Sequence, residues 1–111
     1  MNKRQFLTDF ELMILLAILR VGKHAYGVPI AREIEKTAQR NVMLGAVYTA
    51  LERLERTGMV VSTIGDPTPE RGGRAKRFFT VTRPGLRAVR DTQQALTALW
   101  KGIPELKGSI A

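Results

Sequence analysis

The stretch from Phe10 to Leu19 constrains this chain more than any other, because it is apolar on two helical stripes at once. Phe10, Met13, Ile14, Ala17 and Ile18 recur along one stripe, and Leu12, Leu15, Leu16 and Leu19 fill most of another. A helix this apolar has to be covered on two sides. At 111 residues the chain has the size of one domain. Its own fold can cover one side, and a second subunit is the candidate cover for the other. Thr8-Asp9-Phe10-Glu11 has the form of a capping box at the start of this helix, and Gly22 is placed to end it. The unbroken apolar run, Leu12 to Leu19, is eight residues, well short of the about 20 that span a bilayer. Lys3 and Arg4 ahead of it imitate a secretory leader, but Asp9 and Glu11 stand against the apolar stretch, so a cytoplasmic protein with no membrane partner is expected.

The spacing predicts a second helix from about Tyr26 to Gln39, with Pro29 in its first turn and Val28, Ala31, Ile34 and Ala38 on its apolar face. A third helix, roughly Leu44 to Thr57, turns Leu44, Val47, Leu51 and Leu54 inward and stops at Gly58. Its other face carries Gly45, Thr49, Glu52, Arg53 and Arg56. Met59 to Ile64 and Lys76 to Thr82 are β-type segments joined by a Gly- and Pro-containing stretch from Gly65 to Gly73, which reads as a hairpin with a long loop. Phe79 and Val81 alternate onto the core face, and Lys76, Phe78 and Thr80 onto the other. Thr82 caps a last helix, with Pro84 in its first turn and Gly102 plus Pro104 to stop it. Along that helix Leu86, Val89, Gln93, Leu96, Trp100 and Ile103 recur at alternating spacings of three and four, a heptad seam with one polar member.

The fold class expected from this order is mostly α with a small β-hairpin, a winged helix-turn-helix plus a C-terminal dimerisation helix. The corresponding division is a DNA-binding unit over 1–82, a dimerisation helix over 83–104 and a tail over 105–111. Dimer contacts are assigned to Leu12, Leu16 and Leu19 of the first helix and to Leu86, Val89, Leu96, Trp100 and Ile103 of the seam.

Composition narrows the chemistry. With 18 Lys+Arg against 10 Asp+Glu the net charge is +8, which points to polyanionic partners such as nucleic acid. The excess is local: Arg71, Arg74, Lys76, Arg77, Arg83, Arg87 and Arg90 fall in one window from 71 to 90 that holds no acidic residue. At or beside the loop, Arg71, Arg74, Lys76 and Arg77 can reach phosphates flanking a groove, or form a solvated basic loop. There is no cysteine and a single histidine, His24, so disulfides and thiol nucleophiles are excluded, a transition-metal site would have to be built almost wholly from carboxylates, which suit zinc or copper poorly, and neither a metal nor a cofactor is expected. Gly72-Gly73-Arg74 lacks the lysine and hydroxyl of a phosphate-binding loop, and no nucleophile, base and orienting group stand out, so a small enzyme is the weaker class. A winged-helix module that binds protein is the other alternative, and the basic wing argues against it.

Several segments in order resemble the PadR family of bacterial transcriptional regulators, over about Leu7 to Leu99. They are Ala25-Tyr26-Gly27, then Gly45 to Glu55 (Gly-Ala-Val-Tyr-Thr-Ala-Leu-Glu-Arg-Leu-Glu) with Gly58, then Gly72 to Phe79 (Gly-Gly-Arg-Ala-Lys-Arg-Phe-Phe) and Thr82-Arg83-Pro84-Gly85. Phe78-Phe79 departs from the family, in which at least one tyrosine is usual, and the chain looks like the short branch with a single C-terminal helix. The resemblance implies a dimeric repressor that binds double-stranded DNA, with the third helix in the major groove and the wing on the flanking backbone. Physical chemistry fits those types. Gly45 lets the helix start approach the duplex, and the helix N-terminus favours phosphate. Thr49 and Arg53, one turn apart, suit base edges or phosphate. No acidic residue lies three or four positions from Arg53, so only a carboxylate from another segment could pair it. Tyr48 either donates its hydroxyl to a phosphate or packs at the core edge. The family also implies a small aromatic effector, for which Trp100 offers a flat stacking face; Trp100 capping the dimer core is the simpler role.

Overall fold

The computed structural model describes residues 5–65 and 75–107. The predicted capping box opens helix α1 (Asp9–Val21): Thr8 Oγ1 accepts from the Glu11 N–H at 3.1 Å, and Glu11 Oε1 accepts from the Thr8 N–H at 2.9 Å. Gly22, at φ 83°, ends it and begins a single 3-10 turn, Gly22–His24. Helices α2 (Gly27–Ala38) and α3 (Leu44–Arg56) follow, then strands β1 (Val60–Ile64) and β2 (Arg77–Val81), helix α4 (Arg83–Trp100) and a 3-10 turn over Pro104–Leu106. The fold is thus mostly helical with one two-stranded antiparallel hairpin, paired Val60 to Val81 through Ile64 to Arg77.

The core lies where α1, α2 and α3 meet one face of the hairpin. Ile14, Leu15 and Ile18 of α1 pack with Ile30 and Ile34 of α2, Val47, Leu51 and Leu54 of α3, and Val60 and Phe79 of the strands. Each such side chain stabilises the fold by about 1.5–3 kcal/mol through removal from water. Phe79 is the core-facing aromatic, as the alternation predicts. Three orientations differ from the sequence reading. Leu15, placed on the outer stripe of α1, is fully buried. Leu44, expected inward, and Ala38, expected on the apolar face of α2, are exposed, and Ile30 takes the buried place. In each case the stripe drawn from spacing alone is rotated by a fraction of a turn from the face that tertiary packing selects.

The junctions are built from local chemistry. After α3 the chain makes a Schellman turn: Gly58 at φ 81° donates to the Glu55 carbonyl at 3.1 Å, and Met59 donates to the Leu54 carbonyl at 2.8 Å, with both Met59 and Leu54 buried. Thr82 caps α4 by accepting from the Gly85 N–H at 3.1 Å, and its hydroxyl donates to the Gly58 carbonyl at 2.6 Å. That second bond pins the start of α4 to the end of α3. A Cβ on Gly85 would collide with the Met59 carbonyl and Val81, so the close approach here requires glycine. Further along α4, Ala88 and the buried Thr92 face the body of the chain, and Thr92 Oγ1 accepts from the Leu7 N–H at 3.0 Å. The helix ends at Trp100, earlier than the boundary drawn near Pro104, because Gly102 takes a positive φ of 76°. Ile103 therefore lies beyond α4, in the turn that follows.

Candidate nucleic-acid interface

Helix α3 exposes the face that the sequence singles out. Gly45 has open space where a Cβ would stand, so nothing inside the described chain requires a glycine there. Thr49 donates its hydroxyl to the Gly45 carbonyl at 3.0 Å. Arg53 is engaged: its Nη1 lies 3.4 Å from Glu11 Oε2, the same carboxylate that completes the capping box of α1. The partner that could come only from another segment is thus supplied 42 positions away. Tyr48 is 42% exposed, yet its ring lies directly on Gly27, where any side chain would collide with it. Gly27 opens α2, so the Ala-Tyr-Gly segment and the α3 segment are in contact through the outer end of the Tyr48 ring, which a side chain at 27 would displace.

The hairpin is tied to this helical pair. Phe79 N–H donates to the Ala25 carbonyl at 2.8 Å, extending the ladder to the residue before Tyr26. On the opposite face of β2 the Phe78 ring meets His24 (centroids 6.0 Å apart, 70° between planes) and Tyr26 (5.8 Å, 88°), both edge to face. Lys76 Nζ stands 4.6 Å from the Tyr26 ring centroid, a cation–π contact. Arg77 is exposed opposite Ile64. Arg71 and Arg74 lie outside the described residues. Beyond the hairpin Arg83, Arg87 and Arg90 lie on α4, all three exposed, and make no ion pair among the described residues.

The sequence reading assigned no role to His24, Tyr26 or Phe78 and did not pair Glu11 with Arg53. The available signal was the pair of consecutive aromatics in β2. Alternation sends one to the core and leaves the other to find a partner on the outer face.

A second surface carries the apolar residues assigned to dimer contacts. Leu16 and Leu19 of α1 are exposed, and on α4 Leu96 is 50%, Leu99 74% and Trp100 47% exposed. Between the two helices runs a groove of about 510 Å³ lined by Leu12, Leu16, Val89, Gln93, Leu96 and Trp100 among others. Leu86 and Val89 are half-buried, Val89 against the core, and Ile103 is exposed past the helix end. Among the described residues no helix is long and apolar enough to cross a membrane.

Solved structures share this arrangement. A PadR family transcription regulator from Clostridium difficile superposes with a TM-score of 0.68 at 18% identity, over 83% of this chain and 91% of that one. A transcriptional regulator from Clostridium thermocellum gives 0.68 at 19% identity, over 80% and 81%. A PadR-like regulator from Bacillus cereus gives 0.65 at 20% identity, over 81% and 82%. These likenesses establish the winged-helix fold. No curated protein sequence matches the chain. The family profile of PadR-like transcriptional regulators, by contrast, matches residues 15–91, which takes in α2, α3, the hairpin and the first half of α4. The chain therefore belongs to the PadR-like family of transcriptional regulators.

Proposed function

We propose that this regulator is a cytoplasmic homodimeric repressor that binds a pseudo-palindromic operator. In this reading residues 1–82 form the DNA-binding unit, 83–104 the dimerisation segment and 105–111 a tail. The observation that carries it is the division of the surface into two unlike parts. An open glycine, a threonine and an arginine on α3 stand beside a basic hairpin, while the uncovered leucines of α1 and α4 form a separate apolar surface. The first suits a groove and its phosphates; the second suits a copy of itself. Gly45, Tyr48, Thr49 and Arg53 then face the major groove, and Arg71, Arg74, Lys76 and Arg77 the flanking backbone. Arg53 gives up Glu11 to do so. The Arg53 guanidinium is half exposed and the contact long, and Glu11 keeps its bond from the Thr8 N–H when Arg53 leaves, so exchange for a phosphate or a guanine edge leaves no carboxylate without a partner. Two recognition helices in one dimer address half-sites about 34–36 Å apart.

Footprinting on genomic fragments at moderate salt tests this directly: paired protected half-sites are expected, and the absence of any discrete protected sequence would leave the protein-binding alternative ahead. A small aromatic effector is part of the same proposal, with Trp100 on the α1–α4 groove as its stacking face. A releasing compound would quench the fluorescence of this single tryptophan saturably. Release that persists in a folded Trp100→Leu dimer would remove Trp100 from the effector site.

A further inference from the structure

We propose that Phe78 is the positioning residue of the wing, holding Lys76 and Arg77 in register with α3 through a clamp on His24 and Tyr26. The inference rests on the DNA-binding reading and adds to it a residue that itself need touch no DNA. An isolated two-stranded hairpin is marginally stable and takes its orientation from what it packs against. Here β2 is gripped on both faces. Phe79 anchors one face in the core, and the Phe79 N–H bond to Ala25 ties the middle of the strand to the turn before α2. Neither contact reaches the far end of the strand, where the cations are.

Phe78 does. Its ring lies edge-on to both His24 and Tyr26, on the turn that leads into α2. At the same point the strand pair closes through the Gly65 N–H bond to the Lys76 carbonyl at 2.8 Å, and a Cβ on Gly65 would come within 2.6 Å of the Phe78 ring. Glycine at 65 is therefore what lets the ring lie across the hairpin. Lys76 is drawn into the same cluster by its contact with Tyr26. Since Tyr26 precedes Gly27, on which Tyr48 of α3 packs, the chain of contacts runs from the wing cation to the recognition helix without a gap.

The test is the salt dependence of binding to a mixed-sequence duplex and to the footprinted site. Phe78→Ala removes no charge, so a purely structural role in a folded protein leaves the slope of log K against log[salt] unchanged. Positioning predicts instead a slope lower by about 0.9 for each phosphate that the wing no longer neutralises, restored by Phe78→Tyr. In a Lys76→Ala background the added effect of Phe78→Ala shrinks, because the cation it positions is gone. Should Phe78→Ala fail to fold, His24→Ala loosens the clamp from the exposed turn and is expected to lower the slope in the same direction. A folded Phe78→Ala protein with the parental slope, or folded His24→Ala with the parental slope where Phe78→Ala is unfolded, overturns the inference alone. A parental protein that binds no duplex overturns it together with the DNA-binding reading.

Discussion

Two glycines with opposite surroundings separate folding from binding at the level of single atoms. At Gly85 an added methyl group meets the Met59 carbonyl and Val81, so the start of α4 must move away from the hairpin. Gly85→Ala is expected to lower stability by about 1–3 kcal/mol, the usual cost of overpacking, measurable by urea denaturation. At Gly45 the same methyl meets nothing, and alanine is the better helix former by up to about 1 kcal/mol in a helix interior. Gly45→Ala is therefore expected to leave stability unchanged or slightly raised while weakening DNA binding, if the backbone approaches the duplex there. A variant with parental affinity would remove Gly45 from the interface. Glu33 provides a third test. Its carboxyl is held below the usual carboxylate range, first by a hydrogen bond from the Thr37 hydroxyl and then by one from Arg20, against the opposing effect of burial. A group depressed in the folded state contributes stability that is fully present above its unfolded pKa and is lost as pH falls through the folded one. Glu33→Gln should thus flatten the acid side of the stability profile, removing at neutral pH only the small contribution of an exposed ion pair. An unchanged acid limb in melts across pH would show the pair to be without consequence.

Among the elements, those whose ends are written in neighbouring residues were legible from the sequence. Thr8 with Glu11, Gly58 after α3 and Thr82 with Pro84 each set a boundary through bonds spanning at most five residues, and the structure places all three as the pattern requires. What spacing could not supply was the rotation of a helix against its neighbours. Leu15 is buried and Leu44 exposed because packing among three helices and a hairpin, and not the stripe within one helix, decides which face is covered. The same limit hid the long-range contacts of the candidate site. Arg53 with Glu11, Tyr48 with Gly27 and Phe78 with His24 join segments that only the fold brings together. The helix and the hairpin also make separable predictions. Lys76→Ala should weaken binding to all sequences alike and lower the salt slope by about 0.9 if its ammonium neutralises one phosphate. Thr49→Ala should instead change which bases are preferred. Binding to a randomised duplex library, read out by sequencing, distinguishes the two, and a uniform loss from both variants would contradict the division of labour between helix and wing.

For the whole molecule, shape and exposure argue together. The radius of gyration is 16.0 Å and the principal extents are 56 × 37 × 21 Å, whereas a compact chain of this length has a radius near about 13 Å. The excess fits a C-terminal helix that leaves the core after Thr92 and carries Leu96, Leu99 and Trp100 beyond it. Large exposed apolar patches on a small protein mark contact surfaces, and the proposed dimer would cover this one with the leucine ridge of a second α1. Leu96→Asp is then expected to be severe, since a carboxylate without a partner in an apolar interface costs far more than the absence of the leucine side chain alone. Because Leu96 is half exposed in the single chain, the helix itself should survive. Sedimentation at micromolar concentration should give monomer, with circular dichroism unchanged. The consequence for DNA follows from linkage of the two half-sites. In a dimer the second recognition helix binds at a high effective concentration, so affinity for the full site exceeds that for either half by far more than twofold. Separated subunits lose that gain, and since each touches only its own phosphates, the salt slope on the full site should fall to about half. A Leu96→Asp protein that remains dimeric and folded would place the seam inside one subunit. A monomer that keeps the full-site affinity and slope would mean that the operator is read by one winged helix at a time.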